Sequence, residues 1–156
     1  MPHPHPLTIA TWNIHKGIGT DRRRDLMRTA SVIAEIAPDI IALQEADRRF
    51  GDRAGLFDLD HLHDRTGLRP VHVDTPGPSH GWHGNLVLIR QGHVTGTETI
   101  RLPGLEPRGA LVTELQIGPR PLRIVAAHFG LLRRSRQAQA RHLLDHLAGR
   151  DPRPPC

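Results

Sequence analysis

DIIALQE, residues 39–45, is an apolar run that closes on a carboxylate. Nearly continuous runs of this kind usually mark a strand buried on both faces. Upstream, LTIATWNI (7–14) is β-rich and partly alternating, and predicts a strand that delivers Asn13 to a Gly-containing loop, HKGIGT. Asp21 is placed to cap a helix running to about Ile36. Leu26, Ala30, Ile33 and Ala34 form its apolar stripe at helical spacing, and Arg22, Arg23, Arg24 and Arg28 fall on or near its polar side. Pro38 ends it.

Downstream, residues 46–60 are charged and irregular, with a short helix expected around Leu56–Thr66 and a strand over Arg69–Val73. TPGPSHGWHG (75–84) reads as a loop. Strands are expected at Asn85–Arg90, about Val94–Arg101, Ala110–Ile117 and Leu122–His128, with turns at Gln91-Gly92 and Gly118-Pro119 suited to antiparallel hairpins. A helix from about Arg133 to Leu147 turns Leu143, Leu144 and Leu147 inward. This order implies a mixed, largely antiparallel sheet covered by helices, an α/β layered fold. The organisation expected is a Pro/His tail at 1–6, one domain at 7–148 and a Pro-rich stub at 149–156. The last strand should lie mid-sheet, and the final helix should lead to a further strand, so the domain reads as incomplete.

The chain has 156 residues, the length of one domain with one sizeable core. Its formal charge is +5, carried almost wholly by Arg, since Lys16 is the single lysine. That balance favours anionic partners, although scattered Arg residues in an Ala-, Gly- and Pro-rich chain also fit a GC-rich coding bias. Aromatic residues make up 3%, fewer than a single-strand binder would interleave with its cations. The one cysteine, Cys156, excludes an intrachain disulfide and a Cys-based zinc site. His61 and His63 are two apart, which does not set them side by side on a helix. No apolar run approaches the roughly 20 residues of a membrane span, and no secretory leader opens the chain, so a cytoplasmic location is expected.

Polar groups cluster at strand ends. Glu45 and Asn13 together offer hard oxygen donors suited to Mg²⁺, although Asn13 reads equally as a turn former and Glu45 as a surface acid. His128 ends LRIVAAH (122–128) and either caps the strand or contacts phosphate. Arg108 opens a strand beside Gly109, with a guanidinium fork that fits phosphate. Asn85 follows Gly84 in a loop that lets the backbone approach a ligand closely.

Taken together, TWNIHKGIG (11–19), PDIIALQE (38–45), WHGNLVLIR (82–90), EPRGALVTEL (106–115) and LRIVAAHFGL (122–131) with the helix RSRQAQARHLL resemble, in order, the motifs of the endonuclease/exonuclease/phosphatase superfamily. The resemblance runs from about residue 7 to residue 148, and its first two motifs are the most specific. It implies the N-terminal part of a four-layer α/β/β/α sandwich and a metal-dependent phosphodiesterase or nuclease. Glu45 and Asn13 would hold Mg²⁺ or Mn²⁺, with His128 at the scissile phosphate and Arg108 and Asn85 as nearby substrate contacts. The partner would be a phosphodiester in a nucleic acid, a lipid headgroup or a small molecule. AAHFG has Ala where the family commonly has Thr, and the family's Gly-Asp-x-Asn and Ser-Asp-His motifs do not occur in these residues. The resemblance therefore implies a truncated, weak or inactive hydrolase whose missing part would supply a second sheet. The alternative is a non-catalytic module that binds phosphate or nucleic acid.

Overall fold

The computed structural model describes residues 5–150. Most of the expected stub and residues 1–4 of the expected tail lie outside the described residues. β1 (Ile9–Asn13) leads through a short 3-10 turn at His15–Gly17 to α1 (Leu26–Ile36), which returns to β2 (Ile40–Gln44). α2 (Leu59–Thr66), β3 (Arg69–Pro70) and β4 (Leu86–Ile89) follow, then β5 (His93–Arg101), β6 (Gly109–Ile117), β7 (Arg120–Ala127) and α3 (Arg133–Ala148).

The helix boundaries have local causes. The carboxylate of Asp25, not the expected Asp21, accepts the Arg28 amide and caps α1, while Asp21 pairs with the Arg28 guanidinium at 2.9 Å. Three residues separate the two aspartates, and this Arg22–Arg24 stretch forms a turn bridged to Ile18 instead of a first helical turn. Ala37 closes α1 in the left-handed region just before Pro38. Asp58 and Gly67 bracket α2 in the same manner.

Two sheets form where one mixed sheet was expected. β1 and β2 run parallel, β4 and β3 continue antiparallel, and the order is β1-β2-β4-β3. A separate antiparallel sheet has the order β5-β6-β7. Gly118-Pro119 makes the expected hairpin, pairing Ile117 with Arg120. Gln91-Gly92 does not, because there the chain steps from one sheet to the other. A Cβ on Gly92 would lie 2.6 Å from the Gln116 carbonyl oxygen, so glycine is required where the two sheets meet. β3 is shorter than expected, two residues instead of five.

Alternation along the central strands sorts the core into three slabs. Ile41, Leu43, Leu86 and Leu88 face Ile33 of α1 and Leu62 of α2. Ile40, Ala42, Val87 and Ile89 face the other way, onto Leu111, Leu115 and Ile117 of β6. Ala110 and Val112, on the far side of β6, pack on Leu143 of α3. The layers therefore read α/β/β/α, and both sheets belong to this chain. That corrects the expectation that the first sheet lacks a cover. Each fully buried Leu or Ile contributes about 1.5–3 kcal/mol. Leu147 packs inward beside Leu143, whereas Leu144 is 66% exposed, contrary to expectation.

The last strand departs from its expected position: β7 edges the second sheet instead of lying mid-sheet, and β1, with Ile9 half exposed, edges the first. Between these edges runs a cleft of about 560 Å³ whose lining includes Ala10, Ala42, Leu122 and Ile124.

Thr113 sits between Leu111 and Leu115 on the inner face of β6, and its hydroxyl is buried without a partner. Thr113→Val keeps the shape and removes the unpaired group. The variant is expected to be as stable as the parent or more stable by about 1 kcal/mol, read from urea denaturation midpoints. A loss above that size would mean that the hydroxyl has a partner in solution.

Candidate active site

The ends of β1, β2 and β7 and the segments preceding β4 and β6 converge on one rim. β1 and β2 are parallel neighbours with Asn13 opposite Gln44, so the residues at their C-terminal ends emerge together. Glu45 turns off the strand with φ 56, a left-handed conformation uncommon for a residue with a side chain. The turn is held by Ile14 N–H donating to the Gln44 carbonyl and Ala46 N–H donating to the Gly84 carbonyl. Gly84 has φ +82, and a Cβ there would stand 3.1 Å from Asp47 Oδ1 and 3.4 Å from the Glu45 Cα.

Glu45 is the hub. Asn13 Nδ2 donates to its Oε1 at 3.2 Å, and the Lys16 ammonium donates to its Oε2 at 3.2 Å. His15 Nδ1 lies 3.7 Å and His128 Nε2 4.0 Å from Oε1. Partial burial pushes the Glu45 carboxyl pKa up, but the hydrogen bonds from Asn13 and Lys16 and the nearby positive charge outweigh it, so the net shift is downward. Asn13 Oδ1 accepts the His15 amide, which makes Asn13 the joint between the carboxylate and the following turn.

His128 follows β7 directly. Arg108 Nη1 donates to its Nδ1 at 2.9 Å, and Nε and Nη2 of the same guanidinium grip Glu106 Oε2 at 3.0 and 2.7 Å. Burial and the Arg108 charge lower the His128 pKa. Arg108, expected as a phosphate contact, lines the pocket on this rim; its donors hold Glu106 and orient the imidazole, which leaves Nε2 turned toward Glu45.

Asn85 was also expected at the substrate. The structure buries it completely, and its Nδ2 donates to the Trp82 carbonyl at 3.1 Å and the Gly109 carbonyl at 3.0 Å. It is absent from the lining of the pocket. Asn85 thus ties the loop before β4 to the start of β6, and through Gly109 it fixes the backbone that carries Arg108.

The pocket on this rim holds about 50 Å³, and its lining adds residues that sequence reasoning missed: Lys16, Asp47, Arg49, Arg53 and His83. Asp47, 5% exposed, accepts from Arg53 Nε at 3.1 Å, and Arg53 Nη1 lies 3.2 Å from His83 Nδ1. Lys16 carried one signal, its solitude in an Arg-rich chain, and Asp47 stands two residues past Glu45. Arg53 and His83 had none, because 30 residues separate them and only the fold makes them neighbours.

Burial and the Arg53 charge lower the His83 pKa. A histidine with a depressed pKa binds fewer protons in the folded chain than in the unfolded one. Its contribution to stability is therefore complete above the ordinary value near 6.5 and is lost as the pH falls toward the folded value. The imidazole resonance of His83 is expected to titrate with a midpoint below 6.5, and in Arg53→Gln the midpoint should rise. A normal midpoint in the parent would refute the coupling.

Glu45 provides a carboxylate, a hard donor of the kind Mg²⁺ prefers; Asn13, expected to add a carboxamide oxygen, presents Nδ2 to that carboxylate and spends Oδ1 on the His15 amide. Among the described residues no three His, Cys, Asp or Glu side chains gather as a ligand cluster. A Mg²⁺ ion takes one or two carboxylates and completes its shell with water and phosphate oxygens, so the Glu45 carboxylate fits it.

The sequence matches the endonuclease/exonuclease/phosphatase family over residues 10–156. The chain belongs to that family. Its fold resembles that of a family protein from Beutenbergia cavernae, with 24% identity and a TM-score of 0.66 over 90% of this chain and 44% of that one. It also resembles TDP2 from D. rerio, solved with a single-stranded DNA product, at 20% identity and a TM-score of 0.67 over 93% and 56%. ANGEL2, a 2′,3′-cyclic phosphatase, gives 12% identity and a TM-score of 0.57 over 93% and 49%. At these identities the likeness establishes the fold. This chain spans about half the length of those three proteins. No curated protein matches it. No helix among its described residues is long and apolar enough to cross a membrane.

Proposed function

We propose that this rim is the phosphodiester-hydrolysing site of a metal-dependent hydrolase. The observation that carries the reading is the convergence of Glu45, Asn13 and His128 from three strand ends in a chain of this family. Glu45 would hold a Mg²⁺ or Mn²⁺ ion, with Asn13 fixing the carboxylate through Nδ2. The bound ion would act as a Lewis acid on the phosphate and neutralise developing charge.

The remaining steps fall to the chain's own groups. Arg108 keeps the imidazole of His128 neutral, with the proton on Nε2, because Nδ1 accepts from the guanidinium. His128 Nε2–H then donates to a phosphate oxygen, and the neighbouring Lys16 and Arg53 favour a doubly negative transition state. The substrate is a phosphodiester; the ligands of the structural relatives, a DNA strand and a cyclic nucleotide analogue, support that class in general.

The test is hydrolysis of bis-p-nitrophenyl phosphate by the purified chain. Turnover should require Mn²⁺ or Mg²⁺ and stop with EDTA. A second reading, a phosphate-binding module without catalysis, is favoured by the pocket's charge: Lys16, Arg49, Arg53 and Arg108 outnumber Glu45 and Asp47. Salt-sensitive binding of an oligonucleotide with no metal requirement and no turnover would decide for that reading.

A further inference from the structure

Lys16 is the single lysine of the chain, and its ammonium sits 3.2 Å from Glu45 Oε2. The other carboxylate oxygen, Oε1, is committed to Asn13 and flanked by His15 and His128. Oε2 is therefore the oxygen that a cation arriving through the pocket would use, and Lys16, which lines that pocket, already holds it.

The placement is built into the backbone. Lys16 has φ 57, left-handed for a residue with a side chain, inside the His15–Gly17 turn. Gly17 follows with φ +74, and a Cβ there would lie 2.6 Å from Leu26 Cδ2 of α1. The Asp25 amide donates to the Gly17 carbonyl, which locks the turn onto the start of that helix. The ammonium thus reaches Glu45 from a fixed base.

We infer that Lys16 is the resident counter-ion of Glu45 and competes with the divalent cation for Oε2. The inference rests on the hydrolase reading of the site and adds a residue to it. A carboxylate drawn partly out of water needs a positive partner when no metal is bound. A lysine serves because it is a compact charge on a flexible stem that can leave without moving the backbone, unlike a planar fork held by two bonds. Once a divalent ion reaches Oε2, like-charge repulsion in a partly desolvated pocket drives the ammonium off. An ordinary surface ion pair would have no such coupling to metal.

The experiment is a Mn²⁺ titration of the metal-free protein, followed by electron paramagnetic resonance of the free aquo ion. Lys16→Met keeps the length and removes the charge, and it should bind Mn²⁺ about tenfold more tightly or better. Lys16→Arg should bind no more tightly than the parent. Adding Glu45→Gln to Lys16→Met should abolish the gain, because the gain is specific to that carboxylate. Circular dichroism confirms that each variant is folded. Equal or weaker Mn²⁺ binding in Lys16→Met overturns the inference. So does the absence of binding in both parent and variant, or a gain that survives Glu45→Gln. Turnover is not the readout, so a chain that binds Mn²⁺ as described yet hydrolyses nothing would sink the hydrolase reading and leave the competition standing.

Discussion

Glu45→Gln is expected to lower metal-dependent turnover of bis-p-nitrophenyl phosphate by about a hundredfold or more, the scale lost when a charged group at a reacting centre is neutralised. Gln has the shape of Glu, and its Oε1 still accepts from Asn13 Nδ2, so the joint between β1 and β2 survives. What is lost is the charge and the Oε2 acceptor: the ion loses its one carboxylate, and the Lys16 ammonium loses its partner. Because the Lys16–Glu45 pair is partly exposed, the cost to stability should stay below about 1 kcal/mol. The measurement is a steady-state rate against metal concentration, with a thermal melt alongside. An unchanged rate would remove Glu45 from the chemistry, and a collapsed melt would show that Gln had disturbed the fold.

Asn85→Ala should act in the opposite way, through the fold. Its amide satisfies the Trp82 and Gly109 carbonyls from a completely buried position. Alanine leaves two buried acceptors without that donor and opens a cavity beneath the pocket. The expected loss is about 2–4 kcal/mol. The guanidinium midpoint should fall with an unchanged slope, because the surface exposed on unfolding barely alters. Activity should fall as well, since Gly109 adjoins Arg108 and Arg108 orients His128. The Oδ1 atom of Asn85 has no partner, so the loss belongs to the NH₂ group. Asn85→Asp, which trades that donor for a charge facing two carbonyls, should therefore be at least as damaging. A near-neutral Asn85→Ala would mean that the loop before β4 is held by other contacts.

Much of this architecture was legible because it depends on neighbours in sequence. The run before Glu45 is apolar from Ile40 to Leu43 and, with Gln44, became β2, buried along its whole length. The helical stripe from Leu26 to Ala34 became the inner face of α1, with Ala30 and Ile33 buried. Gly118-Pro119 made its hairpin because a two-residue turn fixes its own register. Strand ends could also be read: Asn13, Glu45 and His128 each follow a β pattern, and each reached the same rim.

Other features depended on which segments meet. Gln91-Gly92 looks like any hairpin turn, but β4 already has β2 and β3 as partners, so the chain passes to the second sheet. Asp25 overtook Asp21 as a cap because the turn around Arg22–Arg24 closes on Ile18. Leu144 falls outside the narrow stripe that α3 presents to β6.

The sequence by itself determined the strand–helix pattern, the family and the residues that strand ends could deliver, since periodicity and capping act over a few positions. Tertiary structure alone decided that Arg108 clasps His128 and Glu106, that Asn85 lies beneath the pocket, and that Lys16 stands on Glu45. The physical reason is that most of these contacts join residues 20 or more apart, whose meeting is fixed by how loops and layers close and not by any local preference.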